Sequence, residues 1–145
     1  MPTDRRAGPP RTRPSRTGLG RAYAVPEPVL AALVAVFADP SARQVVVIEH
    51  SGFARLHLGM AATTRPGRIL LSGAGDAFVA DPEFVLHEYC HVLRQWGPGR
   101  LTRRGYLLES LRRGYTANRF EIEARAFAAA TVDRFCAVLA QQSRA

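Results

Sequence analysis

The segment from Asp81 to Pro98 constrains the fold most, because it carries helix signals at both ends and along its length. Asp81 is a suitable N-cap, and Pro82 suits the first helical position, where no backbone N–H is needed. Gly97 and Pro98 end the helix after Trp96. At about 100° per residue, one side of this helix is apolar. The residues on that side are Val85, Leu86, Tyr89, Val92, Leu93 and Trp96. We therefore expect a helix that buries this face and turns its other side toward a cleft or solvent.

The opposite side of the helix carries the pattern H-E-x-x-H, formed by His87-Glu88-Tyr89-Cys90-His91. Residues four apart lie on one face of a helix, so His87 and His91 can direct two imidazoles at one Zn²⁺. Glu88 can then act as general base on a zinc-bound water, whose pKa zinc lowers toward about 7. Because the apolar side already supplies a core face, the histidines are not needed for packing. The pattern predicts a zinc site.

With a small sheet expected before this helix and a glutamate-bearing helix after it, the chain resembles the zincin superfamily of zinc metallopeptidases. Arg94 and Gly97 stand at the glycine and third-histidine positions of the metzincin pattern, so the chain looks more like the gluzincin branch, in which a downstream glutamate completes the site. It is most similar to small uncharacterised bacterial HExxH domains with an N-x-x-E-x-E-A segment, here 118–124. The resemblance covers residues 62–130 and implies a zinc metallopeptidase with one zinc ion per chain and a peptide or protein substrate. Where gluzincins place an aspartate after the ligand glutamate, this chain has Arg125.

Three glutamates on predicted helices compete to be the third ligand. Glu121 shares its helix face with a mostly apolar stripe that includes small alanines, so it should pack inward beside the HExxH helix. A carboxylate there is costly to bury unless it meets a cation, and zinc would satisfy it. Glu123 lies on a more solvated face, whereas Glu109 is closer in sequence to His91, as in the short gluzincin spacing. We favour Glu121 and keep Glu109 as the alternative.

Several further side chains are candidates for supporting roles. Tyr106, Tyr115 and Arg94 could each stabilise an oxyanion, and the sequence does not choose among them. Asp76 could orient a histidine. The remaining candidates, for which packing or an ordinary strand position is the favoured interpretation, are Cys90, His50 and His57.

The whole pattern predicts an α+β fold, in which a small, mostly antiparallel sheet packs on the HExxH helix and further C-terminal helices. Before that helix we expect a buried helix at 29–38, a hairpin within 44–60 that turns at Ser51-Gly52, a strand at 68–72 and a loop at 73–80. After it we expect helices at 103–113 and 119–139, capped by Thr102 and Asn118.

Composition places these elements in one domain, 25–145, behind a disordered basic tail, 1–24. No apolar run approaches the about 18 residues of a membrane-spanning helix. Residues 29–38 follow basic residues as in a signal peptide, but Pro26, Glu27 and Pro28 interrupt the junction and favour a buried first helix. We therefore expect a cytoplasmic chain and keep export as the alternative. The net charge of +8 suits nucleic acid, but the arginines are scattered, so nucleic-acid binding ranks below a peptidase and below a catalytically silent zinc-binding accessory domain.

Overall fold

A computed structural model describes residues 20–56 and 61–145 and confirms the α+β class. In chain order the elements are β1 (Arg21–Tyr23), α1 (Glu27–Phe37), a 3₁₀ turn (Pro40–Gln44), β2 (Val46–Glu49), α2 (Gly52–Leu56), β3 (Ala62–Arg65), β4 (Arg68–Leu71), α3 (Gly75–Val79), α4 (Pro82–Cys90), a π-helical segment (His91–Trp96), α5 (Arg103–Arg113) and α6 (Arg119–Gln142). In the part of the chain that is described, no helix is both long and apolar enough to cross a membrane.

The four strands form one mixed sheet in the order β1-β2-β4-β3. β1 is antiparallel to β2, β2 is parallel to β4, and β4 is antiparallel to β3. Val47 lies opposite Ile69 in the parallel pair, and both are buried together with Leu71. Because side chains alternate along a strand, these residues mark the face that packs on the core. β1 and β3 are the edges of the sheet.

The predicted hairpin within 44–60 is wrong. β2 forms where the first arm was expected, but α2 follows Ser51 in place of a return strand. The Ser51 hydroxyl accepts a hydrogen bond from the backbone N–H of Ala54 at 3.4 Å, as at a helix N-terminus, and this local bond favours a helix over a two-residue turn. β2 therefore finds its partner in the more distant β4. Residues 57–60 lie outside the described part of the chain.

Three smaller differences concern short elements. Arg21–Tyr23, within the predicted tail, forms the edge strand β1, and residues 1–19 lie outside the described part. β3 was not predicted. It pairs with β4 across the Pro66-Gly67 turn, where Gly67 has a φ of 69° that favours glycine. The predicted loop at 73–80 contains the short helix α3.

The later helices form as the sequence predicts, each with a side-chain cap. Asp81 accepts from the backbone N–H of Phe84 at 3.1 Å, and Thr102 accepts from that of Gly105 at 3.0 Å. Asn118 likewise caps α6, which continues three residues past the expected end at 139. These caps satisfy backbone donors that have no partner within the helix.

One core joins buried residues of α1, the sheet, α4 and α6. Phe37 of α1 contacts Phe127 of α6 with ring centroids 4.7 Å apart. α5 differs from the other long helices, because none of its residues is buried. Its Leu107, Leu108 and Leu111 are exposed, so α5 lies on the outside of the molecule.

Glu49 links β1 to the start of α3. Its side chain is buried and accepts a hydrogen bond from the backbone N–H of Gly75 at 2.7 Å and another from Arg21 Nε at 2.8 Å. A side chain at position 75 would collide with the ring of Tyr23, so glycine allows this approach. The Gly75 N–H first, and Arg21 second, hold the pKa of Glu49 below its ordinary value of 4.5.

We expect Glu49→Gln to lower the free energy of unfolding by about 1–2 kcal/mol at pH 7, because it weakens the hydrogen bonds that Gly75 and Arg21 donate to a buried carboxylate. The folded-state pKa is lowered, so the ionised group stabilises the fold above the unfolded pKa, and this contribution is lost as the pH falls below 4.5. Urea unfolding of the parent and the variant, at pH 7 and at a pH below 4.5, measures the difference in their free energies of unfolding. Glu27→Gln, which removes an exposed ion pair with Arg43, is the control and should change little. A difference for Glu49→Gln that is equal at low and neutral pH would contradict the assignment.

Candidate metal centre

The side chains of His87, His91 and Glu121 converge at one point between α4 and α6. His87 Nε2 lies 2.9 Å from Glu121 Oε2, and His91 Nε2 lies 3.2 Å from Glu121 Oε1. The two imidazole Nε2 atoms are 3.1 Å apart. The structure thus brings together the three residues that the sequence predicts as metal ligands, with all three ligand atoms within 4.8 Å of one another.

Glu121 reaches this point because it lies on the inward stripe of α6. It is only 3% exposed, and Ala124, Ala128 and Phe135 on the same stripe are buried as well. The two small alanines let α6 approach α4 closely. The predicted inward orientation of Glu121 is therefore confirmed, and the carboxylate lies in the helix interface.

The donor set fits a zinc ion in kind and in spacing. Two imidazole nitrogens and a carboxylate oxygen are ordinary zinc ligands, and bonds of about 2.0–2.1 Å in a tetrahedral arrangement separate ligand atoms by about 3.3 Å. The two imidazole Nε2 atoms are 3.1 Å apart, close to the tetrahedral value, and they lie 2.9 and 3.2 Å from two different oxygens of Glu121. With one ligand atom from each residue, all three atoms lie within 4.8 Å of one another, so the residues present fit the ion.

Gln95 fixes the imidazole of His91. This amide is fully buried, and its Nε2 donates to the backbone carbonyl of Phe120 at 2.9 Å. Its Oε1 therefore faces His91 Nδ1, at 2.6 Å, and Nδ1 must carry the proton and donate. A neutral His91 then has its lone pair on Nε2, toward Glu121 and His87, as metal binding needs. Gln95 was not predicted from the sequence. Its spacing of four residues from His91 was the available signal.

A π-helical segment follows the histidines and alters the phase of the helix. The N–H of Gly97 donates to the carbonyl of Val92, five residues back, at 2.9 Å. Residues after His91 therefore depart from the positions that a continuous α-helix would give them. Arg94, a candidate for stabilising an oxyanion, lies over the ring of Phe127, 4.5 Å from the ring centroid, so it is not part of the centre.

The electrostatics of the centre favour a cation. Burial opposes ionisation of Glu121, but hydrogen bonds from His87 and then His91 outweigh burial and hold the pKa of Glu121 well below its ordinary value. Burial also opposes protonation of His91, yet Glu121 outweighs it and raises the pKa of His91. The buried carboxylate thus needs a neighbouring positive charge, which a proton on His91 supplies and a metal ion would replace.

Two spaces meet at the centre. One is a cavity of about 230 Å³ beside β3, and the other is an open groove along α4 and α6. Ala62, Glu88, Tyr115 and Glu121 line both. The predicted strand at 68–72, observed as β4, lies inside the sheet, whereas β3 is the edge beside the centre.

Two tyrosines stand beside Glu121. The Tyr106 hydroxyl donates to Glu121 Oε1 at 3.1 Å, so it supports the carboxylate. Tyr115 is 47% exposed and lies where the cavity and the groove meet. Burial, and then the charge of Glu121, raise the pKa of Tyr115 to about 12, and the same causes raise the pKa of Tyr106 further. Both hydroxyls therefore keep their protons at neutral pH and can donate hydrogen bonds.

Arg125 stands where gluzincins carry an aspartate, and it makes a different contact. Its guanidinium donates to the backbone carbonyl of Thr116, which ties α6 to the loop after α5. Support for a histidine comes here from Gln95 of the π-helical segment.

The competing glutamates lie outside the centre. Glu123 accepts two hydrogen bonds from Arg100, at 2.9 and 2.8 Å, on the surface of α6. Glu109 pairs with Arg113 one turn along α5, with the nearest atoms 3.3 Å apart. Of the three candidates, only Glu121 has its carboxylate among the histidines.

The minor candidates also lie elsewhere. Asp76 accepts from the hydroxyl of Tyr23 at 2.8 Å and does not support a histidine. Cys90 is buried in the core, and burial raises its pKa to about 12. His50 is exposed at the end of β2 with a φ of 51°, and His57 falls outside the described residues.

We expect Glu121→Ala to weaken zinc binding by more than about a hundredfold, since it removes a ligand and not merely a supporting group. Glu109→Ala and Glu123→Ala are matched controls on α5 and α6 and should bind zinc nearly as the parent does. Competition with a chromophoric chelator measures all three affinities. Native affinity in the Glu121 variant, with a loss in the Glu109 variant, would transfer the ligand role to Glu109.

We expect Gln95→Leu to weaken zinc binding by about tenfold to a hundredfold, because His91 loses the acceptor that holds its proton on Nδ1. Nitrogen NMR of the metal-free protein, at a pH high enough for His91 to be neutral, checks the cause directly, since the parent should show its proton on Nδ1 and the variant should show mixed tautomers. Gln141→Leu, an exposed change of the same type on α6, is the control. An unchanged His91 tautomer in the Gln95 variant would contradict this role.

Comparison with known proteins assigns no family to the chain. Protein-family models, curated proteins and solved structures were each searched, and none matches it. The chemistry of the centre therefore has to be inferred from its own side chains.

Proposed function

We propose that this protein is a zinc-dependent hydrolase, specifically a peptidase, in which His87, His91 and Glu121 hold one zinc ion and Glu88 is the general base. The observation that carries the proposal is the convergence of both HExxH imidazoles with a buried glutamate at 2.9–3.2 Å. Bound zinc would supply Lewis acidity for a substrate carbonyl and a water of lowered pKa.

Glu88 has the position and the environment of a general base. It follows His87 directly, it is 7% exposed, and it lines both the cavity and the groove. Burial raises the pKa of its carboxyl, and the neighbouring histidines oppose this rise. A carboxylate of raised pKa can accept a proton from water and then deliver it to the leaving amine of a peptide bond.

Tyr115 is the group that could stabilise the developing oxyanion. The Tyr106 hydroxyl donates to Glu121 at 3.1 Å, and Arg94 lies over Phe127, away from the centre. Tyr115 also lies close to Glu121, but it is the more exposed of the two tyrosines. Tyr115 keeps its proton and is half-exposed at the junction of the two spaces. Its hydroxyl could therefore donate to a carbonyl oxygen whose negative charge grows in the transition state.

β3 offers a place for an extended substrate. An edge strand has backbone N–H and C=O groups that are free to pair with another chain, and peptides commonly bind by adding a strand to such an edge. Ala62, Thr63, Thr64 and Arg65 of β3 all line the cavity beside Glu88. A peptide paired with β3 would pass the centre, which supports a peptide over a small molecule as substrate.

We expect Glu88→Gln to keep the zinc content and the melting temperature of the parent while peptide hydrolysis falls at least about a hundredfold, because the amide keeps the shape and cannot accept the proton. Asp133→Asn, an exposed change on α6, is the matched control. Release of fluorescence from a quenched peptide mixture measures hydrolysis. Cleavage by the Glu88 variant at the parent rate would exclude Glu88 as the base, whereas a parent that binds zinc and cleaves nothing would favour the silent accessory domain.

A further inference from the structure

Two arginines face the cavity beside the candidate metal centre. Arg65 ends β3 and Arg103 begins α5, and both line this space. Arg65 is half-buried, donates to the carbonyl of Thr64 at 2.9 Å, and lies over the ring of Phe53 at 5.0 Å. These contacts hold the Arg65 guanidinium in place without neutralising it.

The described residues provide neither arginine with a carboxylate within ion-pair distance; the ion pairs that form involve other residues. Residues 57–60, which precede β3 and are not described, contain no Asp or Glu in the sequence. Burial first, and the charge of Arg103 second, lower the pKa of Arg65. Among the described residues, two like charges therefore face one cavity without a counter-ion.

The carboxylates of the cavity are already engaged. Glu121 binds the histidines, and Glu88 is the proposed base. Trp96 and Leu101 add apolar surface to the same cavity, which lowers the local dielectric and strengthens the attraction for an incoming anion. The groove on the other side of the centre has the opposite character, since Asp81 and Glu83 line it in addition.

We propose that the cavity end formed by Arg65 and Arg103 is an anion subsite that receives a carboxylate of the peptide substrate. The inference rests on the proposed peptidase function and adds a substrate class to it, namely peptides with negative charge on the cavity side of the cleaved bond. Guanidinium groups suit this role because their donors match the two oxygens of a carboxylate. Both an acidic side chain and the C-terminal carboxylate of the peptide supply that group.

The strand geometry sets where the charge should lie. Ala62 lies where the cavity and the groove meet, and Arg65 is three residues further along β3. At about 3.3 Å per residue, this is about 10 Å along an extended chain. The carboxylate should therefore lie within about three residues of the cleaved bond.

Binding is tested with zinc-loaded Glu88→Gln protein, which should hold peptides without cleaving them. The first set of probes consists of alanine peptides with amidated C-termini that carry a single Glu or Gln at each position in turn. The second set is an all-alanine peptide, prepared once with a free C-terminal carboxylate and once as the amide. We expect calorimetry to show about tenfold tighter binding of the carboxylate form, at one position or at the free C-terminus. Tighter binding of a Glu peptide than of its Gln counterpart identifies an acidic side chain as the bound group. Tighter binding of the free acid than of the amide identifies the C-terminal carboxylate.

Three substitutions in that background assign the effect. Arg65→Gln and Arg103→Gln should each remove the preference, whereas Arg104→Gln, the same charge change one residue along α5 and outside the cavity, should keep it. Arg103 is exposed, so its variant is expected to fold even if the Arg65 variant does not. Equal binding of charged and neutral peptides, or equal losses in the Arg103 and Arg104 variants, would overturn the subsite.

Cleavage of the same peptides by the parent protein separates the two proposals. Cleavage with no effect of peptide charge would overturn the subsite and leave the peptidase function standing. Carboxylate-dependent binding without any cleavage would overturn the peptidase function and leave the anion subsite standing.

Discussion

The carboxylate of Glu121 is buried where α6 crosses α4, and an ionised group in such a place costs free energy unless opposite charge and hydrogen bonds surround it. Hydrogen-bonding groups from the surrounding helices offset this cost. His87 and His91 face the carboxylate from α4 and the segment after it, and Tyr106 donates from α5. Gln95 then holds His91 in the orientation that leaves its Nε2 atom free to act. The centre is thus part of the packing between the helices, and a change in either one should disturb the other.

The elements around this interface have different structural roles. α4 and α6 belong to the core and fix the ligand geometry rigidly, whereas α5 has no buried residue and contributes to the centre from the outside. Among the described strands, β3 is an edge of the sheet, and it lies beside the centre. Such a division suits a hydrolase, because precise positioning needs a packed support while substrate needs an accessible edge and a cavity.

Local signals in the sequence predict the later helices and the candidate metal ligands. They fail for elements whose structure depends on contacts between residues far apart in the sequence. The caps at Asp81 and Asn118 and the helical phase of Glu121 depend on neighbours within a few turns, so these could be predicted. The return strand after Ser51 could not be excluded, because β2 pairs with β4 and that contact is not local. Arg94, one of the candidates for stabilising an oxyanion, lies away from the centre because a π-helical segment changes the helical phase, and no simple pattern marks such a segment.

The claim that His87, His91 and Glu121 form a zinc site is tested most directly by the metal in the untagged protein, purified without added metal. Elemental analysis and zinc-edge X-ray absorption together give the amount and the ligands. We expect one zinc per chain, bound by two imidazole nitrogens and by carboxylate oxygen. A fully folded protein that contains no zinc and takes up none on titration would contradict the account.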